Sequence, residues 1–222
     1  MKNMENAEEI YSNGLKQELK KGERIRYEDY LQHCDSILIL RYGVCSLDYM
    51  TPDGEEEICC YFHGAQMIKP IPVQERLTDM GEKYVPFLEA KTVCAIYWVH
   101  KEKFREATLK DSVLNNQYLK DITDNYMELF WRYCQRREEA VPVRFCRLLV
   151  KMSQKNGEED VLPSFFTYRE ISAYLGINPI TVARLVKALK KAGYIRKAGN
   201  RIVLADSLAV RKIIDDGTNL KY

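Results

Sequence analysis

Between Asp35 and Phe62, in "DSILILRYGVCSLDYMTPDGEEEICCYF", apolar and polar positions alternate with a period of two, and the apolar runs flank Asp53-Gly54, a strong hairpin signal. A second alternating run, "AKTVCAIYWVH", covers Ala90 to His100. This pattern predicts an antiparallel β roll or sandwich, with Gly43 and Gly64 at turns and a less regular connection from Met67 to Pro86. Helices are expected only at its edges.

After a short helix over 101–108 the period changes. The stretch "DSVLNNQYLKDITDNYMELFWRYCQRREE" runs for 29 residues without Gly or Pro and predicts one helix about 43 Å long. Leu119, Ile122, Tyr126, Leu129 and Tyr133 recur at the 3-4-3-4 spacing of a two-stranded coiled-coil seam, and Thr123, Met127, Phe130 and Cys134 form a stripe beside it. One stripe is expected to pack on the β roll and the other on a second subunit. The alternative is an amphipathic helix buried within its own monomer.

Pro142 ends that helix, and 143–154 reads as another, followed by a loop, "KNGEEDVLPSF". Thr167-Tyr168-Arg169-Glu170 is a capping box in front of a helix with Ile171, Tyr174 and Leu175 on its buried side. Gly176 stops this helix in the left-handed conformation, and Asn178-Pro179 supplies a cap and first-turn proline for the next. Two helices joined so closely make a helix-turn-helix. In the second helix Val182, Leu185, Val186 and Leu189 form the core stripe, so Ile180, Arg184, Lys187 and Lys191 face outward. Two short alternating runs, "YIRK" and "RIVLA", then predict a wing hairpin with Lys197, Asn200 and Arg201 at its tip.

Charge sharpens this picture. Residues 1–140 hold 19 Lys and Arg against 25 Asp and Glu, whereas 141–222 hold 15 against 7. Within 161–204 eight basic residues face the single acid Glu170, a local field suited to a polyanion. An apolar residue leading the outward face, with cations behind it, suits the DNA major groove: Ile180 against a thymine methyl, Arg184 against a guanine edge.

No apolar run approaches the roughly 20 residues that span a bilayer, and the first residues lack the pattern of a signal peptide, so a cytoplasmic protein away from the membrane is expected. The seven cysteines show no C-x-x-C pair and read as reduced thiols. Cys59 and Cys60 are adjacent on a strand, should point to opposite faces, and are taken as core or edge residues, with thiol sensing the alternative. His33, His63 and His100 read as ordinary strand or surface residues, with haem ligation the alternative. No metal and no cofactor is expected, and without a nucleophile motif around Cys34 or Cys94, a phosphate loop or an HExxH, neither is catalysis.

The order of β roll, long helix and winged helix-turn-helix resembles the cyclic-AMP receptor protein / fumarate and nitrate reduction regulator (Crp/Fnr) superfamily of bacterial transcription factors. The segment "TYREISAYLGINPITVARLVKALKKAGYI" is similar to its DNA-binding signature, and "KKGERI", "DSILILRYG", "TPDGEEE" and "EAKTVCAIYWVHKEKF" are weaker matches. The resemblance implies an α+β chain with a cyclic-nucleotide-binding-like sensor roll over 1–110, a dimerisation helix over 111–140 and a winged helix-turn-helix DNA-binding domain over 141–222. It also implies a homodimer on double-stranded DNA through Leu119, Ile122, Tyr126, Leu129 and Tyr133, with RNA polymerase and a small-molecule effector as further partners. Pro179, Ile180, Arg184 and Lys187 would face bases. Thr167, Tyr168, Arg169, Asn178, Thr181, Lys191, Lys197, Gly199, Asn200 and Arg201 would meet phosphates.

Departures from the family pattern matter as well. Cyclic-AMP-binding members carry a Gly-Glu-Leu segment after the Gly64 region and a later Arg-Ser or Arg-Thr. Here Lys69 and Tyr84-Val85 occupy those places, so an effector other than cyclic AMP is expected. The family's base-facing Arg-Glu pair is Pro179-Ile180 here, and only Arg184 keeps its type. Dispersed cysteines argue against an iron–sulfur cluster. The competing reading is a small-molecule-binding or thiol-dependent enzyme or adaptor whose winged helix serves protein contacts.

Overall fold

The computed structural model describes residues 10–12, 14–33, 35–68 and 85–217. Two compact units divide between Leu129 and Phe130.

In the first unit the alternating runs become two four-stranded antiparallel sheets. One has the order β1 (Leu15–Leu19), β8 (Cys94–His100), β3 (Ser36–Tyr42), β6 (Met67–Ile68), and the other β2 (Arg24–Ile25), β7 (Val85–Ala90), β4 (Val44–Met50), β5 (Glu56–His63). A short helix, α1 (Tyr27–Gln32), precedes β3. Leu38, Leu40, Cys45, Cys60, Leu88, Cys94 and Ile96, drawn from both sheets, form the core between them. The predicted hairpin is β4–β5, closed by Gly54 N–H on the Thr51 carbonyl at 2.9 Å. At Gly43 the chain passes from one sheet to the other with φ +97, and a Cβ there would lie 2.6 Å from Cys94 Sγ, so only glycine fits. At the next turn the left-handed residue is Ala65 (φ 67), one position after Gly64.

Three expectations change here. The run from Ala90 to His100 is not one strand: Ala90 ends β7, β8 begins at Cys94, and between them Thr92 Oγ1 accepts the Val44 N–H at 2.8 Å. Cys59 and Cys60 do not face opposite ways. The β4–β5 register jumps from Leu47↔Cys60 to Asp48↔Ile58, leaving Cys59 as the extra residue of a bulge, and both cysteines pack on the same core. Of the 67–86 connection, Met67–Ile68 forms β6 and Val85–Pro86 opens β7; Lys69 and Tyr84 lie outside the described residues, as does Cys34.

The far face of the first sheet is also buried, with Ile39, Met67 and Val99 packing against Phe104 of α2 (Lys101–Lys110) and Leu114 of α3 (Ser112–Glu138). α3 is the predicted long helix. Within the first unit α3 packs on the roll through Leu114, Tyr118 and Asp121, and neither Thr123, which is exposed, nor Met127 joins that cluster. Tyr118 meets Phe104 edge to face at 4.9 Å. Asp121, 1% exposed, accepts the Met67 N–H at 3.0 Å and Gln117 Nε2 at 2.7 Å. Charge is buried on the second sheet too: Lys91, 5% exposed, reaches Asp48 at 3.3 Å and Glu89 at 2.8 Å, and Arg24 joins Glu89 and Glu56.

The second unit contains the last turns of α3, then α4 (Val141–Met152), β9 (Gln154–Asn156), β10 (Glu159–Val161), α5 (Tyr168–Leu175), α6 (Pro179–Lys191), β11 (Ile195–Ala198), β12 (Arg201–Leu204) and α7 (Ser207–Asp216). Pro142 lies in the first turn of α4, where its missing N–H costs no helical bond. The expected loop "KNGEEDVLPSF" holds the β9–β10 hairpin, which extends the wing into a four-stranded sheet of order β11-β12-β10-β9. α7 was not legible in the sequence pattern; it is capped by Asp206, whose Oδ1 accepts the Ala209 N–H at 2.9 Å. Among the described residues no helix is long and apolar enough to cross a membrane.

Candidate nucleic-acid interface

Local rules assemble the helix-turn-helix. The Thr167 hydroxyl accepts the Glu170 N–H at 3.1 Å and caps α5, and the Thr167 N–H reaches the Phe165 carbonyl at 2.8 Å. Gly176 is left-handed (φ 61, ψ 49) and its N–H returns to the Ser172 carbonyl at 2.8 Å. Asn178 Oδ1 accepts the Ile180 N–H at 2.8 Å, and Pro179 opens α6. Ile171, Tyr174 and Leu175 of α5 and Val182, Leu185, Val186 and Leu189 of α6 are buried, as their spacing predicted.

Burying that stripe leaves Pro179, Ile180, Arg184, Lys187 and Lys191 exposed, with Ile180 at 62%. α6 contains no acidic residue, so nothing along the helix neutralises these cations. Lys190, which the outward-face reading did not include, is exposed as well. Thr181 is half-buried beside this face. Thr167, Arg169 and Asn178 are exposed around the helix starts. Across from them the β11–β12 turn exposes Gly199 (φ 59), Asn200 and Arg201. Lys197 is half-buried, its Nζ 4.7 Å from the centre of the Tyr168 ring, so the wing and the start of α5 are joined by a cation–π contact. Arg196 bonds Glu159 of β10 and is thereby withdrawn from the basic set.

Residues 143–213 match the model of the Crp-like helix-turn-helix domain. They are a Crp-like helix-turn-helix domain. Both helices, the turn and the wing of the Crp-like domain lie within the matched residues. No curated protein sequence matches the chain. Solved structures share its fold: a mutant of CooA from Carboxydothermus hydrogenoformans (TM-score 0.76, 14% identity, covering 95% of this chain and 90% of that one) and a transcriptional regulator of the CRP/FNR family from Thermus thermophilus (0.69, 18%, 90% and 98%). CLP of Xanthomonas campestris, described as a c-di-GMP responsive global regulator, is a third (0.67, 14%, 90% and 97%). The Crp/Fnr resemblance read from the residues therefore holds for the domain and for the fold.

The long helix leaves Leu119, Tyr126, Leu129 and Tyr133 exposed, Tyr126 at 64%, with Ile122 half-buried; Phe130 and Trp131 are exposed next to them. The histidines have structural surroundings: His33 stacks on Trp98 with ring centres 4.5 Å apart, and His100 Nδ1 accepts the Glu102 N–H that starts α2, while His63 is exposed at the end of β5. Among the described residues no group of three or more His, Cys, Asp or Glu is arranged to hold a metal ion. Burial pushes the thiols of Cys45 and Cys94 up, and that of Cys146 up to about 12, which holds them protonated.

Proposed function

We propose that the protein is a homodimeric, sequence-specific DNA-binding transcription regulator. In it α6 of each copy reads one half of an inverted-repeat operator, and a sensor over 1–110 answers an effector other than cyclic AMP. The observation that carries this reading is the acid-free outward face of α6 within a Crp-like domain. Pro179, Ile180, Arg184 and Lys187 are the base-facing set. Thr167, Tyr168, Arg169, Asn178, Thr181, Lys191, Lys197, Gly199, Asn200 and Arg201 are the set that would meet phosphates.

The apolar residues on α3 support pairing through Leu119, Ile122, Tyr126, Leu129 and Tyr133 over 111–140, since a contiguous apolar stripe in water is a feature of interaction surfaces. RNA polymerase is the partner such a regulator addresses once bound. The competing thiol-dependent reading loses support from Cys45, Cys94 and Cys146, because a nucleophilic cysteine needs a lowered pKa.

Selection of bound duplexes from a random pool tests the reading. The expected winner is an inverted repeat with half-site centres about 34 Å apart, bound with a steep salt dependence. Recovery of no enriched sequence, together with salt-independent binding, would remove the DNA assignment. The effector clause rests on Lys69 and Tyr84-Val85 in the sequence; a calorimetric titration with cyclic AMP should show no micromolar binding.

A further inference from the structure

Three arginines that the outward face of α6 does not use converge on the C-terminal end of α5. Arg132, from the last turns of α3, donates through Nη2 to the Tyr174 carbonyl, and its guanidinium carbon stands 3.9 Å over the centre of the Tyr174 ring. Arg144 of α4 donates through Nη1 to the Leu175 carbonyl at 3.0 Å. Arg136, one turn beyond Arg132, lies against Gly176: a Cβ there would fall 2.7 Å from its Cζ and collide with Nη2.

The last carbonyls of a helix lack helical partners and carry partial negative charge, so three cations from two other elements are well placed there. From this point a short bonded path leads to the reading helix. The Gly176 and Ile177 N–H groups both return to the Ser172 carbonyl, at 2.8 and 3.2 Å, and the Ser172 hydroxyl donates to the Ile177 carbonyl. One residue later Asn178 caps α6.

We propose that Arg132, Arg136 and Arg144 are positioning residues for DNA reading. They fasten the end of α5, and through the three-residue turn the start of α6, to the last turns of the long helix and to α4. The proposal rests on the DNA-binding reading above. Arg132 acts through its planar fork and face, which bond a carbonyl and cover a ring together, so its charge alone is not enough. Gly176 holds a left-handed backbone that disfavours a side chain, and a Cβ there would have to displace the Arg136 guanidinium.

The test uses the full chain with Arg132→Gln and Arg132→Lys, titrated against the duplex won in the selection and a scrambled duplex at several salt concentrations. A positioning role predicts that both variants lose about tenfold on the selected duplex, with the scrambled duplex and the salt slope unchanged. A direct phosphate contact predicts the opposite pattern: Arg132→Lys binds like the parent, while Arg132→Gln weakens both duplexes and lowers the slope by about one unit. Either that pattern or parent-like binding by both variants overturns the proposal.

A second measurement is independent of DNA. In Arg132→Gln the Gly176 and Ile177 amides should exchange with solvent roughly tenfold faster, while those of Val186 and Leu189 keep their protection. Unchanged exchange at Gly176 and Ile177 overturns the clamp, even if the parent binds no duplex and the DNA-binding reading has failed by itself. Uniformly faster exchange marks general destabilisation and overturns it too.

Discussion

Arg184 and Lys197 are both cations near the same surface, and their side-chain geometry gives them different tasks. Arg184 is one turn into the exposed face of α6, where a planar fork can meet guanine O6 and N7 together. Arg184→Ala is expected to cost about 1–3 kcal/mol on the selected duplex and much less on a scrambled one, as read by parallel titrations. Lys197 stands over the Tyr168 ring, which restrains the wing cation beside the start of α5. Lys197→Ala should weaken both duplexes alike and reduce the salt slope by about one unit; equal losses on both duplexes for Arg184→Ala would assign it to phosphate instead. In the roll, Lys91 holds the buried Asp48 and the half-buried Glu89. Lys91→Ala leaves Asp48 and Glu89 without it, at an expected cost of about 3–5 kcal/mol in urea unfolding, and Lys91→Met costs no less at the acids while restoring packing. Burial pushes the Glu89 carboxyl up, but hydrogen bonds from Lys91 and Arg24 outweigh it and hold the group below its ordinary value. Its contribution to stability is therefore present at neutral pH and is lost as the pH falls below about 4, so stability followed against pH should decline on the acid side.

α3 shows at the level of an element how an exposed pattern can be tested. With Ile122→Lys and Leu129→Lys together, two ammonium groups enter the apolar stripe, and light scattering should report the parent at twice the chain mass and the variant at one chain mass. A monomeric parent at micromolar concentration would show that the stripe has another use. The long helix was legible because its 27 residues hold no Gly or Pro and carry the 3-4-3-4 spacing from Leu119 to Tyr133. α6 was legible for a different reason: Gly176, Asn178 and Pro179 mark its start chemically, and Val182, Leu185, Val186 and Leu189 mark its buried side. β9 and β10 were missed because three-residue strands offer a single alternation, too little to separate from a polar loop. The 90–100 run misled because Lys91-Thr92-Val93 keep the strand composition while the chain changes sheets. Tyr118 and Asp121, rather than Met127, pack on the roll, and the buried side of α3 includes a carboxylate whose partner, the Met67 N–H, is 54 residues away.

At the scale of the whole molecule, the acidic 1–140 and basic 141–222 were readable by counting, since charge balance needs no coordinates. The convergence of Arg132, Arg136 and Arg144 on one helix end was not, because contacts at separations of 42 and 31 residues leave no periodic trace. The buried cysteines have a use at this scale that does not depend on any partner. Cys45, Cys60 and Cys94 lie in the core of the first unit and Cys146 in that of the second, so each half carries its own concealed chemical clock. An alkylating reagent added to the native protein can react with such a thiol only during the moments when the surrounding core opens. Mass spectrometry of the labelled peptides then dates those openings separately for the two halves. Matching labelling rates would mean that the roll and the helix-turn-helix come apart as one cooperative body, and divergent rates would rank which half lives longer.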